Sequence, residues 1–151
     1  MRTSNDKGFS LIELLIVVAI IGIIAAIAIP NLLNAIQRGK QKRSLGDLRT
    51  LGTAVESYAI DNNFYVIQAS GAITTSTGFF ETTYIKKCPT RDGWNTLLQY
   101  GSDANGTTYV LTSYGKDGIQ SGPASGKTTD FRHDIIFSTG SFITWPEGTQ
   151  N

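Results

Sequence analysis

The chain has one cysteine and one histidine in 151 residues, and each scarcity excludes something. Cys88 alone closes no intramolecular disulfide, so an exported domain built from this sequence must be held by an apolar core or by a metal. Cys88 stands beside Pro89 and reads as a small buried residue, and His133 has no second histidine to work with. Cys-x-x-Cys, His-Glu-x-x-His, a phosphate-binding loop and a convincing dinucleotide fingerprint are missing, and no spacing indicates a Ser-His-Asp or Cys-His site. The expectation is a protein that is not an enzyme. Excess charge of either sign is missing too: 13 Lys and Arg face 12 Asp and Glu, which gives no field that would gather nucleic acid. Charged residues make up 17% of the chain, below the ~25% of ordinary soluble domains. One segment accounts for the shortfall.

That segment is Phe9 to Ile29, 21 residues of which only Ser10, Glu13 and Gly22 are not plainly hydrophobic. As a helix it measures about 31 Å, the thickness of a bilayer's hydrocarbon core. It is too long for the apolar region of a secretory signal, ~7–15 residues before a small-residue cleavage site. A buried core helix fits no better, and "AAIAIPN" runs on into helix-compatible sequence. A membrane and assembly helix is therefore expected over residues 9–30. Roughly 110–120 residues remain, enough for one folded domain. Arg2 and Lys7 precede the span, and Arg38, Lys40, Lys42 and Arg43 follow it; by charge alone the C-terminal side would be cytoplasmic. The basic cluster reads either as a solvated helix face or as a contact for lipid headgroups or for acidic residues of an adjacent subunit.

Glu13 is the costly residue of the run, since a carboxylate at mid-span is unfavourable by ~2.5–3.5 kcal/mol. Close to the helix start it can snorkel or be protonated. A second reading begins from a cut between Gly8 and Phe9: the new amine of Phe9 in a neighbouring subunit meets Glu13, and two charges in a low-dielectric surrounding satisfy each other. The stretch "KGFSLIELLIVVAIIGIIAAIAIPN" resembles the class III signal of type IV pilins and of the pseudopilins of type II secretion. It has a short charged leader ending in Gly8, then Phe9, with Glu13 and Pro30 at the fifth and twenty-second positions after the cut. The resemblance implies that residues 1–8 are a leader, removed by a membrane prepilin peptidase that also methylates the Phe9 amine. It further implies that Glu13 pairs with a subunit's N-terminus during assembly, and that the leader is cytoplasmic and the domain exported, against the charge count.

Beyond Pro30, Leu45, Leu48, Leu51, Val55 and Tyr58 recur at spacings of three and four, which predicts an amphipathic helix over 44–60 with one face on a core. Gly39, Gly46 and Gly52 each weaken it by ~1 kcal/mol relative to Ala, and Gly22 and Pro30 mark where the long helix can bend. Altogether the helix is expected to be near fifty residues long. Residues 66–92, rich in Ser, Thr and Gly, read as loop with short elements at most. Strands are expected at "WNTLLQY" (94–100), "TTYVLTSY" (107–114) and "DIIFSTGSFITW" (134–145). Asn105-Gly106 is a hairpin turn between the first two, and Thr139-Gly140 turns the third into a second hairpin. The fold class is α+β: a long N-terminal helix packed on a small antiparallel sheet, with residues 31–151 as one pilin-like domain.

"YAIDNNFY", "DGWNTLLQY" and "YGKDGIQSG", in this order, resemble the globular part of the G-type major pseudopilins, with a Ser/Thr-rich stretch at 68–83 and a longer tail after Asp134 as departures. In "SYGKDGIQSGPASGKTTDFRHD", residues 113–134, Asp117, Asp130 and Asp134 are hard oxygen donors. Gly115, Gly118, Gly122 and Gly126 let the backbone turn its carbonyls inward, as Ca²⁺ with six to eight oxygens requires. On the residues alone the loop reads equally as a solvated surface, and its spacing is not that of an EF-hand. The resemblance implies calcium in place of a disulfide, with Asp117, Asp130 and Asp134 as ligands and the Leu111 carbonyl among the backbone contributors.

The function implied is a structural subunit of a type II secretion pseudopilus. It waits in the bacterial inner membrane with its domain in the periplasm and is assembled into a helical filament that drives export. Its partners would be further copies, the prepilin peptidase, the inner-membrane assembly platform and minor pseudopilins, with no nucleic acid. A major pilin of a type IV pilus shares the N-terminal half but usually carries two C-terminal cysteines, which this chain lacks. A minor pilin for adhesion or DNA uptake would want a basic or aromatic patch in its globular half. A monomeric anchored enzyme or receptor would need neither the Gly8 cut nor Glu13.

Overall fold

A computed structural model describes residues 8–121, 125–148 and 150. Residues 1–7 of the expected leader 1–8, with Arg2 and Lys7, and Gly122 of the Gly-rich loop lie outside the described residues. The chain divides into two units, Met1–Ala35 and Ile36–Asn151.

In the first unit the chain becomes helical at Leu11, and the residues around it say why. The Glu13 carboxylate reaches back to accept from the Ser10 N–H (2.9 Å), and the Leu14 N–H bonds the Ser10 carbonyl (3.2 Å). This is the Glu half of a capping box, Ser-x-x-Glu, which satisfies a donor that the helix start would leave bare. The helix, α1, runs Leu11–Asn62 and continues through Gly22 and Pro30 without interruption. From Leu11 to Ala35 every side chain is exposed except that of Ala25, which is half-buried. Nothing among the described residues covers this apolar surface.

From Ile36 onward α1 is one-sided. Leu48, Leu51, Ala54 and Val55 are buried, with Leu45 and Tyr58 packed at the margin, which is the stripe the spacing predicts. Each large apolar side chain so buried contributes about 1.5–3 kcal/mol. Facing the stripe is a six-stranded sheet of β1 (Gly71–Ala72), β2 (Gln99–Ser102), β3 (Tyr109–Ser113), β4 (Gly126–Thr128), β5 (Ile135–Ser138) and β6 (Ser141–Pro146). The strand order is β1-β2-β3-β5-β6-β4, antiparallel throughout except that β4 runs parallel to β6. Tyr100, Tyr109, Leu111, Ile135 and Phe137 bring the sheet's share of the core. Gly52 is where helix and sheet come closest: a Cβ there would stand 2.2 Å from the Phe137 ring. The glycine that weakens the isolated helix is therefore what lets the ring lie against it.

The α+β class, the long helix and the second hairpin are as the sequence predicts. Thr139 (φ 43°) and Gly140 (φ 81°) both take the positive φ of a two-residue turn, between Ser138 and Ser141 in register. Three details differ. Residues 94–100 are not one strand: Trp94 sits in a turn drawn tight by the Asp92 carboxylate, which accepts from the Trp94 and Thr96 N–H groups (2.9 Å each), and β2 begins only at Gln99. The β2–β3 connection is not a two-residue turn. It spans 103–108 around Asp103, which accepts from Thr107 N–H (2.6 Å), Thr108 N–H (2.7 Å) and Thr107 Oγ1–H (2.7 Å). β4 arises inside the Gly-rich loop, where "GKT" shows no alternation and is strand only because β6 pairs with it. Within 66–92 the short elements are β1, a 3-10 turn at Ile73–Thr75 and α2 (Thr77–Phe80), which bury Ile73 and Phe80.

Candidate assembly segment and candidate metal loop

Gly8 and Phe9 precede α1 and lie outside any helix or strand, with Phe9 77% exposed. Gly8 is exposed as well. Glu13 lies on the first turn of α1, where its Oε2 already holds the Ser10 N–H, and Pro30 lies within the helix, exposed. The capping role of Glu13 was available in the sequence as Ser10-Leu11-Ile12-Glu13 ahead of an apolar run.

In the loop after β3, Asp134 is the unusual residue. It is 4% exposed; its Oδ2 accepts from the Ser121 N–H (3.1 Å), its own N–H donates to Ser121 Oγ (3.1 Å), and its Oδ1 has no donor among the described residues. Burial pushes its carboxyl above the usual range, the Ser121 bonds offset part of that, and the charge of Asp117 adds to it. Asp134 lines an open depression of about 380 Å³ on the sheet, shared with Ser121, Thr112 and Ile136. Nearby, Gly115 (φ +65°) takes a conformation that disfavours other residues, and a Cβ on it would fall 2.7–2.8 Å from the carbonyl oxygens of Phe131, Arg132 and His133. Three main-chain acceptors thus converge where only a glycine leaves room.

The other expected ligands are placed differently. Asp117 is exposed and its Oδ1 accepts from the Ile119 N–H (3.1 Å). Asp130 is turned to Arg132, whose Nη2 donates to its Oδ2 at 2.7 Å; these bonds hold the Asp130 carboxyl below its usual range. Leu111 lies inside β3 between β2 and β5 rather than in the loop. Among the described residues no group of three or more His, Cys, Asp or Glu gathers in a way that could hold a metal ion. The loop does hold oxygen donors of the hard kind that Ca²⁺ takes, the Asp134 and Asp117 carboxylates and the carbonyls of residues 131–133, though among the described residues they are not gathered round one point.

Asp92 went unnoticed in the sequence. It is 2% exposed and, besides its own turn, accepts from Ser113 Oγ–H (2.7 Å), so it ties the end of β3 to the segment that returns to α1. Its signal was the turn-forming Asp-Gly that precedes Trp94.

Residues 3–29 match the family model for the prokaryotic N-terminal methylation motif, and residues 31–132 match that for type II secretion system protein G. The chain belongs to the type II secretion system protein G family. It is 32% identical over 133 residues to the type II secretion system core protein G of Vibrio cholerae, covering 83% of this chain and 90% of that protein. Identity to the core protein G of Pseudomonas aeruginosa is 30% over 131 residues, 81% of this chain and 92% of that one. For the core protein G of Escherichia coli K12 it is 26% over 125 residues, 77% and 86%. This member of the protein G family is thus a pseudopilin of type II secretion, and the family is one of structural subunits. The methylation motif takes in Gly8, Phe9 and Glu13, and the protein G match takes in Asp117 and Asp130 but ends before Asp134, β5 and β6. By length and composition its α1 is apolar enough to cross a membrane.

Proposed function

We propose that this pseudopilin is made with residues 1–8 as a leader and anchored in the bacterial inner membrane by residues 9–30, with the unit Ile36–Asn151 in the periplasm. A prepilin peptidase cuts after Gly8 and methylates the amine of Phe9. The subunit then enters a helical pseudopilus that drives protein export, with the inner-membrane assembly platform and minor pseudopilins as further partners. The observation that carries this reading is the apolar surface of α1 from Leu11 to Ala35, which has nothing of its own chain against it among the described residues. In a membrane, lipid covers it; in a filament, the same surface of other copies does, at little net cost. The Glu13 carboxylate meeting the Phe9 amine of another copy then sets direction and register more than affinity. In the loop, Asp134 and Asp117 with the carbonyls of residues 131–133 would hold calcium. Bound there, the cation supplies positive charge to the buried Asp134 oxygen.

The test is mass spectrometry of the protein taken from cells that carry the secretion system. A chain beginning at N-methylated Phe9 is expected. A chain that still carries residues 1–8 overturns the reading.

A further inference from the structure

The face of α1 that packs into the unit Ile36–Asn151 changes character along its length. Leu48, Leu51 and Val55 are apolar, but the residues that carry the same face back toward Ile36 are Gln37, Lys40, Gln41 and Ser44, at spacings of three, one and three. Gln41 and Ser44 are buried, 5% and 0% exposed. Burying polar side chains is costly unless each finds a partner. The partners here arrive from two places far apart in the chain.

The first is the turn at Asp92. The Gly93 N–H donates to Ser44 Oγ (2.9 Å), Trp94 Nε1 donates to Gln37 Oε1 (2.7 Å), and a Cβ on Gly93 would stand 2.1 Å from the Lys40 carbonyl oxygen, so only a glycine lets the turn lie this close. Behind the turn, Ser113 Oγ donates to the Asp92 carboxylate (2.7 Å) and accepts from the Gly115 N–H (3.4 Å), where the Gly-rich loop begins. The second is Gln150. Its Oε1 accepts from Gln41 Nε2 (3.2 Å) and its Nε2 donates to the carbonyl of Thr128 (2.7 Å), in the strand β4 that the same loop contributes. Both routes therefore run from the loop to one face of α1 between Gln37 and Ser44. Asp92, Ser113, Thr128 and Gln150 are each 6% exposed or less, so these bonds are made away from bulk water, where a lost partner is felt most.

We infer that Asp92 and Gln150 are positioning residues that latch the Gly-rich loop to α1, so that the loop and the helical stretch Gln37–Ser44 loosen as one cooperative unit, separate from the apolar stretch Leu48–Val55. Whatever orders the loop is then felt on α1 just where the unit Ile36–Asn151 begins. No metal is needed for this and the test contains none, so it stands or falls independently of calcium. Amide hydrogen exchange is followed residue by residue on the full chain in detergent micelles, with chelator present. Ser113→Ala breaks the first route and Gln150→Ala the second; each is expected to speed exchange at Gln41–Ser44 by about tenfold while Leu51–Val55 change by less than about twofold. Coupling is reciprocal. Ser44→Ala should therefore speed the Lys116 amide, which donates to the Phe131 carbonyl within the loop (2.9 Å). A purely local role would confine the effect of Ser113→Ala to the loop, so unchanged exchange at Gln41–Ser44 in either variant overturns the latch. Equal acceleration of all these amides, as Leu51→Ala should give, overturns it as well, because loop and helix would then open only with the core.

Discussion

The two halves of α1 are built of similar residues and behave oppositely. Before Ile36 the apolar side chains go all round and every one is exposed apart from a half-buried alanine; after it they form one stripe, and the stripe is buried under the sheet. Period separates them more than hydrophobicity does, because a stripe can be covered by one partner from the same chain while a cylinder needs partners on all sides. The second half is therefore explained by this molecule alone. The first half is explained only by lipid or by other copies.

Substitutions sharpen that division by acting on one half and sparing the other. The largest effect is expected at Glu13, whose charge and cap can be separated. Glu13→Gln retains a side chain that serves a capping box but removes the charge, so filament yield should fall at least about tenfold while melting of the unit Ile36–Asn151 stays put, which pelleting and circular dichroism would show. Normal filaments from Glu13→Gln combined with loss in Glu13→Ala would make the cap, and not the charge, the function. Leu51→Ala should do the reverse. Leu51 is fully buried, so truncation is expected to destabilise the unit by about 2–5 kcal/mol in urea denaturation while membrane insertion and cleavage persist.

The smallest effect concerns the loop. The folded pKa of Asp134 is raised chiefly by burial, so without metal its contribution to stability is fully present below the unfolded value of ~3.9 and is lost as pH rises through the folded value. Calcium needs the ionised carboxylate, so the cation's stabilisation should have the opposite sense and disappear on acidification. At 100 times its dissociation constant a ligand contributes about 2.7 kcal/mol. Thermal melts with and without chelator should show up to that much in the parent chain and little in Asp134→Asn.

How much of this was legible in the sequence follows from the distance between interacting residues. Leu48, Leu51 and Val55 announce their face by spacing alone, and Thr139-Gly140 announces a turn by backbone preference. β4 has no such local signal, since three residues become strand only through pairing with Thr144 to Pro146. Gly52 looked like a weakness because the Phe137 ring that needs the space is 85 positions away in the chain. In the loop the three aspartates are visible, but nothing local to them says that Arg132 engages Asp130 while Asp134 is buried with one oxygen that has no donor among the described residues. Asp103 and Asp134 make the same point: one carboxylate is satisfied by its own turn, the other is not.

Cys88 gives the molecule a practical property. The side chain is 3% exposed and burial, helped by the charge of Glu81, pushes its thiol up to about 11, so near neutrality the native sulfur stays protonated and shielded from alkylating reagents. A cysteine introduced at any surface position would then react alone. Neighbouring copies could be mapped by pairwise cross-linking without first removing the natural thiol.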